Sequence, residues 1–303
     1  FTGPQAFAWV IPLLGVAAEV VPVAGRVRQR NYTLMLGAIA LYGLLTFAAY
    51  AQPFFERGSL SVLEQAIYVG QSFAMIVPVL VIFGGLADTI RRGLRNIGAP
   101  DSWLVAPMLG VLILLVGLAV TAARAVDELE LIATSADAAS LHLAVGAGLL
   151  GIIGGLAFWT PKLAGRGLTP IAVLAALAVA GGALAAGLAD LGSGLLDQPL
   201  LTAPGTEIED GVEALNVVAL LGGVLVLVGL LALMVDLALA LARGTADDAP
   251  DNPWHGHTLE WATTSPPPEH NFAEPVRLVR SERPLLDTDG ETDDDETESG
   301  EEG

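Results

Sequence analysis

Long uninterrupted runs of hydrophobic residues, separated by short polar stretches, dominate this chain. Seven such runs cover roughly 5–25, 32–51, 64–87, 102–124, 140–160, 168–190 and 213–243. A helix rises about 1.5 Å per residue, so about twenty apolar residues cross a hydrocarbon core of about 30 Å. The runs are too long for strands and lack the period-two alternation of a half-buried sheet. The last run exceeds what a bilayer needs, which predicts tilt or protrusion at one end. Small residues inside the runs, such as Gly154-Gly155 and Gly181-Gly182, allow helix backbones to approach closely. The pattern predicts an all-α membrane protein, with seven transmembrane helices in residues 1–243.

The loops give the direction. Arg26, Arg28 and Arg30 follow the first run, Arg91, Arg92 and Arg95 the third, Lys162 and Arg166 the fifth, and Arg243 the seventh. The intervening loops carry Glu56 balanced by Arg57, then Asp127, Glu128 and Glu130, then Asp197, Glu207, Glu209 and Asp210. Basic loops face the cytoplasm. A multi-pass protein of the cell membrane follows, its N-terminus outside and its C-terminus cytoplasmic. A seven-helix retinal protein would need a Lys in its last span. The only Lys, Lys162, falls in the loop after span five, which excludes that class.

Composition narrows the chemistry. Of the 303 residues 53% are hydrophobic and 16% charged, well away from the soluble average. With no Cys there is no disulfide framework, thiolate metal site or cysteine nucleophile. A net charge of −19 without a basic stripe excludes nucleic acid as a partner. Abundant acids and Ala with a single Lys suggest a halophile source. Residues 244–283 form a cytoplasmic polar segment rich in Pro and Trp, too short for a core of its own. Residues 281–303 hold 11 acidic residues and one basic, so 284–303 reads as a disordered, solvated tail.

Within the polar segment, Leu259, Glu260, Trp261, Ser265, Pro266, Pro267, Pro268, Asn271 and Phe272 form an L-E-W, S-P-P-P, N-F pattern. This closely resembles the segment after the last helix of subunit I in haem-copper terminal oxidases, the cytochrome c oxidase family. Glu19-Val20-Val21-Pro22-Val23 resembles the S-E-V-I-P run that ends that family's sixth helix. Trp159-Thr160-Pro161-Lys162-Leu163-Ala164-Gly165-Arg166 resembles the W-x-P-K-x-x-G-R loop after its tenth. The resemblance covers roughly 1–275 and implies the C-terminal half of such a subunit, helices six to twelve, in divergent form.

The family reduces oxygen at a haem facing a copper held by three His, and this half would supply five His ligands. Imidazole suits both metals. This chain has four His, of which His255, His257 and His270 lie beyond the last span. Phe1-Thr2-Gly3-Pro4-Gln5-Ala6-Phe7 resembles an F-x-G-H-P-E-V-Y motif with its His deleted, and Phe7 stands at the copper-site Tyr. Ala51-Gln52-Pro53-Phe54 matches the helix-seven His pair without either imidazole. Pro78-Val79-Leu80-Val81-Ile82 resembles a P-T-G-V-K proton-uptake run, with Val79 for the Thr and Ile82 for the Lys. No Arg pair for haem propionates occurs in 192–204.

His142, in Leu141-His142-Leu143, resembles the A-H-F-H region of helix ten. It reads either as an axial haem ligand or as a capping or interface His near the headgroups. Glu19 and Asp236 fall inside spans, where an unpaired charge costs roughly 2.5–3.5 kcal/mol, so each is expected to face a partner. Asp88 and Asp190, at span ends, are expected to be wetted.

The resemblance implies a component of an aerobic respiratory terminal oxidase, working with subunit II or III type partners and the lipid bilayer. Haem is the cofactor this half could still hold, copper is not expected, and no catalytic residue is assigned. Two alternatives stay open. One is an active oxidase fragment whose haem ligands come from an N-terminal half. The other is a non-redox seven-helix scaffold that binds lipid or a partner subunit.

Overall fold

A computed structural model of the chain describes residues 6–48, 62–99, 101–201, 208, 210–243, 249–272, 279 and 281–287. The described residues form α1 (Ile11–Gly25), α2 (Tyr32–Ala48), α3 (Val62–Ala74), α4 (Ile76–Gly93), α5 (Ser102–Arg124), α6 (Ala136–Ala164), α7 (Ile171–Gly194) and α8 (Asp210–Arg243). No sheet occurs among them; one isolated bridge joins Thr134 to Pro199.

Among the described residues, six spans are long and apolar enough to cross a bilayer: Ala6–Gly25, Gln65–Gly93, Ser102–Arg124, Ala136–Ala164, Ile171–Gly194 and Gly211–Arg243. The protein is a multi-pass, all-α membrane protein. The second expected span is shorter than predicted. Its apolar helical stretch is Tyr32–Thr46, and residues 49–51 of the predicted run lie outside the described residues. The third predicted span is two helices in line, α3 and α4, broken at Met75, and it continues to Gly93 where the sequence pattern stopped at 87.

Helix ends follow local chemistry. Asp101 opens α5 by accepting from the Ser102 amide, which satisfies one of the free N–H groups of the first turn. Arg91 and Arg92 close α4, where cations favour the negative end of the helix dipole. Both reach back to Asp88 at 3.1 Å, three and four residues earlier.

α1 packs against α4, α5 and α6, while α5, α6, α7 and α8 each pack against the next in chain order. Leu13, Leu14, Val20 and Val21 of α1 are wholly buried. Of each predicted glycine pair, one member makes the close contact. A methyl on Gly182 would lie 2.5 Å from the Gly222 carbonyl oxygen of α8, whereas one on Gly181 would meet nothing nearer than 3.9 Å.

The two aqueous ends are tied differently. At one end the loops before α6 and after α7 zip together, Ser135 N to Gln198 O at 2.9 Å and Leu200 N to Ala133 O at 3.0 Å. At the arginine-bearing end, residues 249–272 fold back over the bundle as a cap. Residues 284–287, assigned to the acidic tail by composition, form a helical turn there as well. Residues 288–303 lie outside the described residues.

Candidate functional site

His142 lies six residues into α6, and Asp190 lies four residues before the end of the antiparallel α7, so both sit at the same depth from one edge. His142 Nδ1 is 2.7 Å from Asp190 Oδ2. A carboxylate only accepts, so the ring donates through Nδ1. Nε2 makes no hydrogen bond among the described residues, and the His142 side chain is 47% exposed against 11% for Asp190. Asp190 is therefore not a wetted span-end acid, as expected, but a buried carboxylate turned onto an imidazole. Its own backbone carbonyl accepts from Ser135 Oγ at 2.9 Å. Sequence reasoning missed this pair, although the matched depth on consecutive helices was the signal that could have found it.

A buried ion pair lies at the same end. Arg124 at the close of α5 meets Asp137 in the first turn of α6 and donates to Ser140 Oγ at 3.0 Å.

The other positions that the resemblance singles out, the copper-site Tyr and the proton-uptake run among them, are filled by hydrocarbon or fall outside the described residues. Phe7, Val79 and Ile82 are all buried in one apolar core. The Phe7 carbonyl accepts from the buried Tyr42 hydroxyl at 3.2 Å. Residues 1–5 and 51–54 lie outside the described residues. Among those described, no three His, Asp or Glu side chains converge to hold a metal. Copper needs about three nitrogen donors, and these residues do not fit it. A haem needs one or two axial donors, and His142, an imidazole braced by a carboxylate, fits one of them.

The remaining His lie at the far end. Lys162, twenty residues beyond His142 on α6, is about 30 Å away along the helix. It occupies the last turn of α6 and not a loop, as the apolar run had suggested, and it is buried. Its ammonium donates to the carbonyls of Thr263, of Asp251 at 2.9 Å and of Thr264 at 3.3 Å. It also sits 5.7 Å from the Trp261 ring centroid. Trp261 is 2% exposed and packs edge-on against Phe158 at 5.0 Å. Trp254 stacks near Trp103 and donates to the Phe158 carbonyl at 2.9 Å. Two motifs about a hundred residues apart thus meet in one cap.

The charged residues expected to need partners have them. Glu19 pairs with Arg283 at 2.7 Å, which ties the cap to α1. Asp236 is buried and accepts from Thr169 N at 3.0 Å and Thr169 Oγ1 at 2.9 Å, at the start of α7. A second tie links Arg28 with Asp287. His257, 2% exposed, leaves both ring nitrogens without a partner among the described residues. Burial, then the nearby Arg283 and Arg28, pushes its pKa down to about 4. His255 borders a groove of about 270 Å³ shared with Arg26, Asn96, Trp103 and Trp254, and His270 is exposed.

No family model matches the chain. Individual relatives do. The chain is 28% identical to cytochrome c oxidase subunit 1 of Bacillus subtilis over 300 residues, covering 94% of this chain and 45% of that protein. It is 27% identical to cytochrome c oxidase subunit 1 of Alkalihalophilus pseudofirmus, over 94% of this chain and 45% of that protein. The chain is similar to these subunit 1 proteins over nearly its whole length. Cytochrome bo(3) ubiquinol oxidase subunit 1 of Buchnera aphidicola is 25% identical, over 89% of this chain and 41% of the relative. The chain spans about half the length of the curated relatives it matches.

Proposed function

We propose that the chain is a divergent subunit I-like component of an aerobic terminal oxidase that contributes membrane helices and lacks a copper site of its own. The observation that carries this reading is the packing at the expected reactive positions. Phe7, Val79 and Ile82, where the resemblance implies a phenol, a hydroxyl and an ammonium, join one apolar core. Such a core supplies neither metal donors nor a proton path. Its partners are other oxidase subunits, of subunit II or III type, and lipid. Loop charge supports an N-terminus outside and a cap in the cytoplasm.

A second reading is favoured by one observation, the His142–Asp190 pair. In it His142 would hold a haem iron together with a ligand from outside the described residues. When bound, the haem supplies electron transfer. The residues of this chain do the positioning: His142 offers a nitrogen, Asp190 braces the ring, and α6 and α7 hold both.

The test is pyridine-haemochrome spectroscopy together with copper quantification on the chain purified from a respiring membrane, with mass spectrometry of whatever co-purifies. Substoichiometric copper and co-purifying oxidase subunits are expected. One copper per chain refutes the proposal. Isolation without haem, copper or any oxidase subunit points instead to a non-redox scaffold.

A further inference from the structure

We infer that Asp190 is a positioning residue that holds His142 as its Nδ1–H tautomer and so leaves Nε2 as the nitrogen available to a haem iron. This inference rests on the reading of His142 as an axial ligand and assigns a role to a second residue. A neutral imidazole has one donor and one acceptor nitrogen, and the hydrogen bond made by one decides which is left for a metal. Here the 2.7 Å contact commits Nδ1. Carboxylates behind a ligating His fix its ring and raise its basicity, and their loss typically weakens binding 10–100-fold.

The surrounding helices make the contact stiff. Gly187 lies three residues before Asp190, and a methyl there would come within 2.6 Å of Leu143 Cγ, the neighbour of His142. The absent side chain leaves room for the Leu143 side chain where α7 packs against α6. Ser135 holds the Asp190 backbone, and the Ser135–Gln198 and Ala133–Leu200 hydrogen bonds clamp the loops on either side. The carboxylate is thus anchored on the buried side, while the exposed half of the ring faces outward.

The test has two readouts on the full chain in detergent. The ¹⁵N shifts of labelled histidine, assigned with His142→Gln, report the tautomer without any haem present. Haemin titration followed in the Soret band reports ligation. Wild type is expected to hold the Nδ1–H form; Asp190→Leu should convert it largely to Nε2–H, and Asp190→Glu should restore it. Haemin affinity should fall 10–100-fold in Asp190→Leu. An unchanged tautomer in Asp190→Leu overturns the positioning role, whatever the haemin result. If the tautomer shifts but His142→Gln leaves the Soret band untouched, the ligand reading fails while the tautomer lock stands. Unchanged helical circular dichroism in the Leu variant excludes misfolding as the cause.

Discussion

Gly182→Ala tests how α8 is held. α8 is the least buried of the membrane spans, and its chief neighbour is α7. A methyl at 182 would stand 2.5 Å from Gly222 O, 2.8 Å from Val226 Cγ2 and 2.9 Å from Val226 N. Two of those three atoms belong to the backbone and cannot swing aside. Restoring a contact of about 3.5 Å requires the helices to part by about 1 Å, and a gap of that size forfeits a quarter to a half of each dispersion contact. Overpacking of this kind costs about 1–3 kcal/mol. Gly181→Ala is the control, since its methyl finds nothing nearer than 3.9 Å. It should be neutral or slightly stabilising, because Ala favours a helix over Gly by up to about 1 kcal/mol. Unfolding in mixed micelles with increasing SDS, followed by far-ultraviolet circular dichroism, measures both. Equal midpoints for the two variants would refute the claim that α7 and α8 meet through Gly182.

Two further predictions concern the cap. Lys162→Met leaves the carbonyls of Asp251, Thr263 and Thr264 without their donor, and hydrogen bonds to charged groups contribute about 1.5–3 kcal/mol each. The cap should loosen, read as faster acrylamide quenching of Trp261 and Trp254. The cap should also loosen in acid. The folded pKa of His257 is depressed from 6.5 to about 4, so the undocked state binds the proton more readily in that interval. Docking is then fully favourable above pH 6.5, weakens as the pH falls through the window, and is down by up to about 3 kcal/mol at pH 4. His257→Phe should flatten the quenching profile between those limits. The Asp287 carboxyl, held below its usual range by Ser281 and Arg28, keeps its own tie until the pH is lower still.

The hydrophobic pattern alone determined that this is an all-α membrane bundle and located nearly all its spans, because a bilayer demands about twenty apolar residues per crossing and punishes anything else. Local motifs also identified the segments that later proved to matter: Trp159 to Lys162, Leu259 to Trp261, and Glu19. What no local pattern determined is where those segments meet. Polar composition made 244–283 a detached segment, yet Trp261 is buried among the ends of the helices because Lys162 and Phe158 provide a matching surface. Asp190 read as a wetted helix end, since a lone acid near the bilayer edge is cheapest in water. Only the antiparallel packing of α7 on α6 brought it to His142. Interior pairings of this kind depend on side chains distant in sequence, and such distances are set by packing alone.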